Sequence, residues 1–244
     1  MTKPDTGQMT TVVLCGGRGS RLRPLTDRVP KPLVKLDGRP ILYHLLQSYI
    51  DKGYPDFVIC VGYRGNMVEE FVASSALRAS VRFSDAGDKA SMLSRLHQAR
   101  DMMTDRVFVA YGDTLIDVDL DDMLAKHKST GAVITITTAN VRSPFGLVSP
   151  GPDGLVESFE EKPLQWYYVG HMLMEKSILD DIGPDLIDLP EGDGMVALFN
   201  RLISENRLRM YPYEGPQITF NTHRELNQAE HDFVSFFTHE ESRS

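Results

Sequence analysis

No stretch of this 244-residue chain stays apolar for the ~18 residues that a membrane-crossing helix needs. The opening segment MTKPDTGQMT is polar and carries no signal-peptide core. Residues 1–9 are therefore expected to form a flexible tail, with Met9 as an alternative start. Cysteine is scarce: Cys15 and Cys60, each inside an apolar run, are expected as buried free thiols rather than a disulfide or a metal pair. Two such cysteines without a signal core point to the reducing cytoplasm. The seven histidines fall at no metal-binding spacing, and no Gly/Ser-rich linker or repeat divides the chain. Positive charge is also short. A formal net charge of −8 argues against general affinity for nucleic acid or for acidic membranes.

Against that acidic background one segment is basic. Between Gly16 and Leu36 there are six basic residues (Arg18, Arg21, Arg23, Arg28, Lys31, Lys35) and one acid, Asp27. A basic segment in an acidic protein suggests a local site for a small polyanion.

Hydrophobic periodicity predicts alternating strands and helices in the first half. TTVVLC, FVICVG, VRFS and VFVAYG read as strands. Helices are expected around 41–50, around 66–73, and where Met92, Leu96, Ala99 and Met103 recur at helical spacing. Strand–helix–strand units imply a parallel sheet covered on both faces. After Asp113 the pattern shifts to AVITITTANV, FGLVSP, LVESFEE and YYVGHMLME, all strand-like. A helix near 194–206, a strand in RLRMYPY and a final helix opened by the capping-box pattern Thr222-His-Arg-Glu225 follow. The expected architecture is α/β: a Rossmann-like mixed, mostly parallel sheet with helices on both faces. Residues 10–240 are expected to form one domain, with a nucleotide-binding half over 10–115 and a second, substrate-binding half over 116–240.

The most informative string is Leu14-Cys-Gly-Gly-Arg-Gly-Ser-Arg-Leu-Arg-Pro-Leu-Thr-Asp-Arg-Val-Pro-Lys-Pro-Leu, directly after the first strand. Gly16, Gly17 and Gly19 let the backbone approach a ligand and turn N–H groups toward phosphate oxygens. In a parallel sheet such a loop lies at the carboxyl ends of the strands, where ligands bind. Other glycine motifs fail. No Gly-Lys-Ser/Thr follows at Walker A spacing, and the third glycine of a dinucleotide fingerprint is replaced by Leu22. Glycines alone could mark only a tight strand–helix connection.

With Ser20, Arg21, Pro24, Thr26 and Lys31-Pro32 added, the string resembles the signature of the sugar-1-phosphate nucleotidylyltransferases. The resemblance extends along the chain through Tyr111-Gly112-Asp113, Pro144-Phe-Gly146, Phe159-Glu-Glu161-Lys162-Pro163, Val169-Gly170 and Asn221-Thr222. It implies the nucleotide-diphospho-sugar transferase fold, and a reaction in which a nucleoside triphosphate and a sugar 1-phosphate give an NDP-sugar and pyrophosphate. It implies Mg²⁺ (with Mn²⁺ an option) held by Asp113 and Asn221, and a catalytic set of Arg21, Lys31 and Asp113. Leu14, Gly16, Gly17, Gly19, Ser20, Arg21, Ser91 and Gly112 would contact the nucleotide; Gly146, Glu161, Lys162 and Gly170 would contact the sugar phosphate. Tyr-Gly-Asp, Asp117-Val-Asp119-Leu, His127-Lys-Ser-Thr-Gly131, Ser158-Phe-Glu-Glu-Lys-Pro163 and Arg95-Leu-His-Gln-Ala-Arg100 resemble the glucose-1-phosphate cytidylyltransferases, which favours CTP. Relatives are commonly oligomers, so a homo-oligomer is an option.

Two departures stand out. Asn221 replaces the acid usual at that position, which removes a charge from the implied metal site. Lys89-Ala-Ser-Met-Leu-Ser-Arg95, where the base should be read, lacks the usual glycine turn. The Asn221 departure keeps open a catalytically weak nucleotide-sugar-binding regulator as the alternative. Asp117-x-Asp119 superficially matches the Asp-x-Asp of metal-dependent glycosyltransferases, but is expected instead to open a helix over 121–128, where carboxylates suit the N-terminus. Trp166 and Tyr167-Tyr168 could be pocket wall or ordinary core.

Overall fold

The computed structural model describes residues 9–241, with side chains through Phe233. Most of the expected tail, residues 1–8, lies outside the described residues, as does the side chain of Phe237 on the last helix. In chain order, β1 (Thr10–Leu14) leads through the basic segment to a hairpin of β2 (Lys35–Leu36) and β3 (Arg39–Pro40), then α1 (Ile41–Asp51) and β4 (Asp56–Val61). α2 (Gly65–Ser74), β5 (Ser80–Asp85), α3 (Met92–Ala99), β6 (Arg106–Tyr111), β7 (Thr114–Ile116) and α4 (Leu120–Thr130) follow. The remainder is β8 (Ile134–Arg142), β9 (Leu147–Pro150), β10 (Val156–Glu160), β11 (Leu164–Glu175), α5 (Pro184–Ile187), α6 (Asp193–Ser204), β12 (Leu208–Pro212), β13 (Gln217–Thr219) and α7 (His223–Glu241).

Seven strands make one sheet in the order β12-β8-β11-β6-β1-β4-β5. β1 runs parallel to β4 and β6, β4 to β5, and β8 to β12; β11 runs antiparallel to both neighbours. The sheet is thus mixed and mostly parallel, as the alternating pattern implies. The antiparallel pairing of β11 with β6 joins strands from the two halves of the sequence into one sheet.

Successive residues of a strand point to opposite faces, and the core follows that period. Val13, Phe57 and Ile59 join one cluster, with Leu42, Leu45 and Leu46 of α1 and Met123 of α4. Val12, Val58 and Cys60 join the other, with Leu93 and Leu96 of α3 and Leu198 and Leu202 of α6. Helices therefore cover both faces. Cys15 and Cys60 are buried free thiols, and burial pushes both well above the ordinary thiol range.

Several local signals behave as chemistry dictates. Asp119, not Asp121, caps α4: its carboxylate accepts from Asp122 N at 2.9 Å. Asp117 accepts from Lys52 Nζ at 2.6 Å, so neither member of the Asp-x-Asp pair is free for a metal. At α7 the cap is shifted from the expected box. Thr222 Oγ1 accepts from Glu225 N at 3.2 Å, but Glu225 Oε2 reaches back to Asn221 N, at 2.6 Å. Small elements escape the sequence pattern: β2–β3 turns on Asp37-Gly38, both at positive φ, and β13 pairs antiparallel with β7.

Candidate active site

The carboxyl ends of β1 and β6 open onto a cavity of about 680 Å³. Its floor is the glycine loop. Gly19 holds a left-handed conformation (φ 58°), and its carbonyl accepts from Thr26 Oγ1 at 2.9 Å. Tyr63 OH donates to Thr26 O at 3.1 Å, tying the loop to the turn after β4. Leu14, Gly16, Gly17, Gly19, Ser20, Arg21, Lys31, Asp113 and Asn221 all line this space. Residues from six segments of the chain meet here, since the cavity also takes in Arg18, Asp88, Lys89, Arg95, Tyr111, Glu191 and Gly192.

Five cationic side chains (Arg18, Arg21, Lys31, Lys89, Arg95) face three carboxylates (Asp88, Asp113, Glu191). The cavity is thus net positive in a net negative protein. Arg18 pairs with Asp88 at 3.0 Å. Arg21 is exposed and makes no hydrogen bond or ion pair with any described residue, so its guanidinium is available to a ligand.

Deeper in the cavity is a tight cluster. Lys31 Nζ donates to Asp113 Oδ2 at 2.6 Å and to Asn221 Oδ1 at 3.1 Å, and lies 5.6 Å from the centroid of the Phe220 ring. Lys31 is buried, on a 3₁₀ turn (Lys31–Leu33) that follows Pro30. Asp113 projects from the turn between β6 and β7, and Asn221 sits between β13 and α7. The Thr114–Thr219 register of β7 with β13 sets those two turns side by side. Behind them His171 donates from Nε2 to Thr114 O at 3.2 Å, so its Nδ1 accepts from Tyr49 OH, at 3.1 Å. Burial pushes the His171 imidazole down to about 4.

Arg95 is the principal residue that site reasoning missed. It is buried on α3, and its guanidinium donates to Gly16 O at 3.2 Å, to Gly87 O at 2.9 Å and to Val61 O. It thereby props the glycine loop from behind. The signal existed: Arg95 lies on the same helical face as Met92, Leu96 and Ala99, where a charge must have partners. Glu191 and Gly192, between α5 and α6, carry no comparable motif.

Other expected site residues lie differently. Ser91 caps α3 by accepting from Ser94 N at 3.1 Å, and donates to Ile187 O at 3.2 Å, which occupies its hydroxyl inside the fold. Gly112 does not line the cavity; a Cβ there would come within 2.4 Å of Cys15 Sγ, so close strand packing requires glycine. Gly170 (φ 81°) forms the irregularity in β11 between Tyr168 and Met172, and a Cβ would meet Tyr111 Cδ2 at 2.9 Å. Gly146, Glu161 and Lys162 gather apart from this cavity at the root of the β9–β10 hairpin. A Cβ on Gly146 would lie 3.1 Å from Glu161 Oε2, and Lys162 Nζ is 3.8 Å from Glu161 Oε1. Trp166 and Tyr167 are exposed; Tyr167 borders a smaller cavity of about 490 Å³, with Asn140, Glu214, Gln217 and Thr219.

A sequence profile described as Nucleotidyl transferase matches residues 10–211. Glucose-1-phosphate cytidylyltransferase of Salmonella typhimurium is 31% identical over 209 residues, 76% of this chain and 79% of that protein. This chain belongs to the sugar-1-phosphate nucleotidylyltransferase family. Mannose-1-phosphate guanyltransferase of Gibberella zeae is 31% identical over 222 residues, 85% of this chain; the chain spans 59% of that longer protein. Among solved structures, HddC from Yersinia pseudotuberculosis has the same fold, with a TM-score of 0.71 at 19% identity over 93% of this chain and all of that one. No helix among the described residues is long and apolar enough to cross a membrane.

Proposed function

We propose that this nucleotidylyltransferase condenses CTP, in preference to other nucleoside triphosphates, with a sugar 1-phosphate to give a CDP-sugar and pyrophosphate. The observation that carries the chemistry is one positively charged cavity that joins the glycine loop and Arg21, which has no partner among the described residues, to the Lys31–Asp113–Asn221 cluster. The similarity to a cytidylyltransferase supports the base, although a guanyltransferase matches at equal identity.

In the reaction a sugar phosphate oxygen bonds to the α-phosphorus of the triphosphate while the bond to the bridging oxygen breaks and pyrophosphate leaves. Such transfers depend on positioning and charge neutralisation, with no covalent chemistry required of the protein. The glycine loop would cradle the triphosphate, and Arg21 would hold the oxygens on which negative charge grows as pyrophosphate departs. Lys31 would face the α-phosphate or the incoming phosphate. Lys162, from the substrate half, would hold the attacking phosphate, with Glu161 accepting from a sugar hydroxyl.

Asp113 and Asn221 offer one carboxylate and one amide oxygen that converge on a single point, now filled by Lys31 Nζ. No trio of His, Cys, Asp or Glu side chains among the described residues forms a metal cage. That donor set fits Mg²⁺, which takes a few protein oxygens and completes its shell from phosphates and water. When bound there, the ion would supply charge neutralisation between two anionic substrates.

The deciding experiment is pyrophosphate release measured across four nucleoside triphosphates and a panel of sugar 1-phosphates with Mg²⁺. CTP is expected to give the highest kcat/KM. Higher kcat/KM with GTP or dTTP would replace the base assignment. Tight triphosphate binding without pyrophosphate release from any pair would make the chain a nucleotide-sugar-binding regulator.

A further inference from the structure

The Lys31 cluster has a property that a metal site alone does not explain. The oxygens of Asp113 and Asn221 already hold a cation, and it is covalently part of the chain. Lys31 Nζ is within hydrogen-bond range of both, and the face of Phe220 lies on a further side. The lysine side chain has a relative exposure of 9%. One ammonium against one carboxylate is charge-balanced. A second carboxylate at position 221 would leave an excess negative charge to draw in a divalent ion; the amide of Asn221 leaves none.

We propose that Lys31 is an internal counter-ion that occupies the metal position in the nucleotide-free protein, and that a divalent ion enters only when a bound triphosphate draws the ammonium away. This rests on the reading of Asp113 and Asn221 as the metal-binding pair. The physical argument is competition. An ammonium and a divalent ion cannot share two oxygens, because the cations repel at such short range. Lysine's ammonium is a compact charge on a flexible four-carbon stem, so it can exchange partners by side-chain rotation. A triphosphate seated on the glycine loop supplies the new partner, and its arrival turns a balanced site into one rich in negative charge. Nucleotide and metal then bind together, and Asn221 becomes part of the device: a neutral ligand lets one lysine suffice as the stand-in.

Mn²⁺ is the probe, with bound and free ion distinguished by electron paramagnetic resonance on the full-length protein. Without nucleotide, Lys31→Met is expected to bind a single Mn²⁺ at least ~10-fold more tightly than wild type. The gain should vanish in Lys31→Met/Asp113→Asn. Arg18→Met, which removes another cation from the same cavity, should show no such gain. If Lys31→Met proves unfolded by circular dichroism, Lys31→Gln carries the same comparison. With a non-hydrolysable α,β-methylene CTP analogue present, wild type and Lys31→Met should bind Mn²⁺ with similar affinity. The proposal is overturned if nucleotide-free wild type binds Mn²⁺ as tightly as Lys31→Met, if the gain survives Asp113→Asn, or if Arg18→Met gains as much. Should the analogue recruit Mn²⁺ to neither protein, the nucleotide reading of the cavity falls, while the nucleotide-free comparison still decides the role of Lys31.

Discussion

A Cβ atom placed on Gly16 would lie 2.2 Å from Cζ of Arg95, whose guanidinium already donates to the Gly16 carbonyl. The first glycine of the loop is thus required by a buried arginine behind it, whereas a Cβ on Gly17 would meet nothing within 4 Å. Gly16→Ala must displace Arg95 from three carbonyl partners and should destabilise the fold by about 1–3 kcal/mol. Gly17→Ala should leave the unfolding midpoint unchanged and weaken triphosphate binding, since its methyl group enters the cavity. Thermal unfolding and nucleotide titration of the two variants separate these roles; equal stability losses would refute the distinction.

Arg21 has no partner among the described residues, so Arg21→Ala should cost little stability. Turnover is expected to fall ~10²–10³-fold if the guanidinium meets charge developing on pyrophosphate. Single-turnover rates alongside thermal unfolding test this. Near-normal turnover would remove Arg21 from the catalytic set.

Lys162 stands at the root of the β9–β10 hairpin, apart from the cavity over the glycine loop. Lys162→Ala is expected to raise the KM for sugar 1-phosphate about tenfold or more while that for the triphosphate moves little, as for a lost charge-assisted contact. A rise confined to the triphosphate KM would show that the two halves of the chain divide the substrates differently.

Asn221→Asp adds a carboxylate to the site proposed to hold a divalent ion once the triphosphate is bound. The Mg²⁺ concentration for half-maximal pyrophosphate release should fall about tenfold. Asp113→Asn removes the only carboxylate of the cluster and should nearly abolish turnover. An unchanged Mg²⁺ titration in Asn221→Asp together with an active Asp113→Asn would place the ion elsewhere.

His171 supplies a pH dependence whose sign follows from its burial. Its folded-state pKa is pushed down to about 4 from an ordinary 6.5, so the unfolded chain binds the proton more tightly. The stability conferred by the neutral imidazole is complete above pH 6.5 and is lost as pH falls toward 4, by on the order of 3 kcal/mol at most. Urea unfolding from pH 7 to pH 4.5 should show a shallower decline in His171→Gln than in wild type. Parallel declines would mean that other groups dominate.

Much of this protein is legible without coordinates, because its information is local. Short continuous apolar runs such as TTVVLC and FVICVG sit where β1 and β4 form, and the 3–4 spacing of Leu42, Leu45 and Leu46 marks α1. The glycine–arginine string is contiguous, so its loop could be recognised from adjacent residues. What the tertiary structure decided are the meetings between distant segments. Lys31, Asp113 and Asn221 lie 82 and 190 positions apart along the chain for the two bonds that join them, and only the pairing of β7 with β13 brings their turns together. Spacing could suggest Asp113 and Asn221 as partners through resemblance, but could not reveal that a lysine already sits between them. Nor could it tell that Ser91 spends its hydroxyl on capping α3, or that Gly112 serves packing against Cys15. A polar side chain binds whichever donor or acceptor the fold sets beside it, and that choice is made by packing rather than by neighbours in sequence.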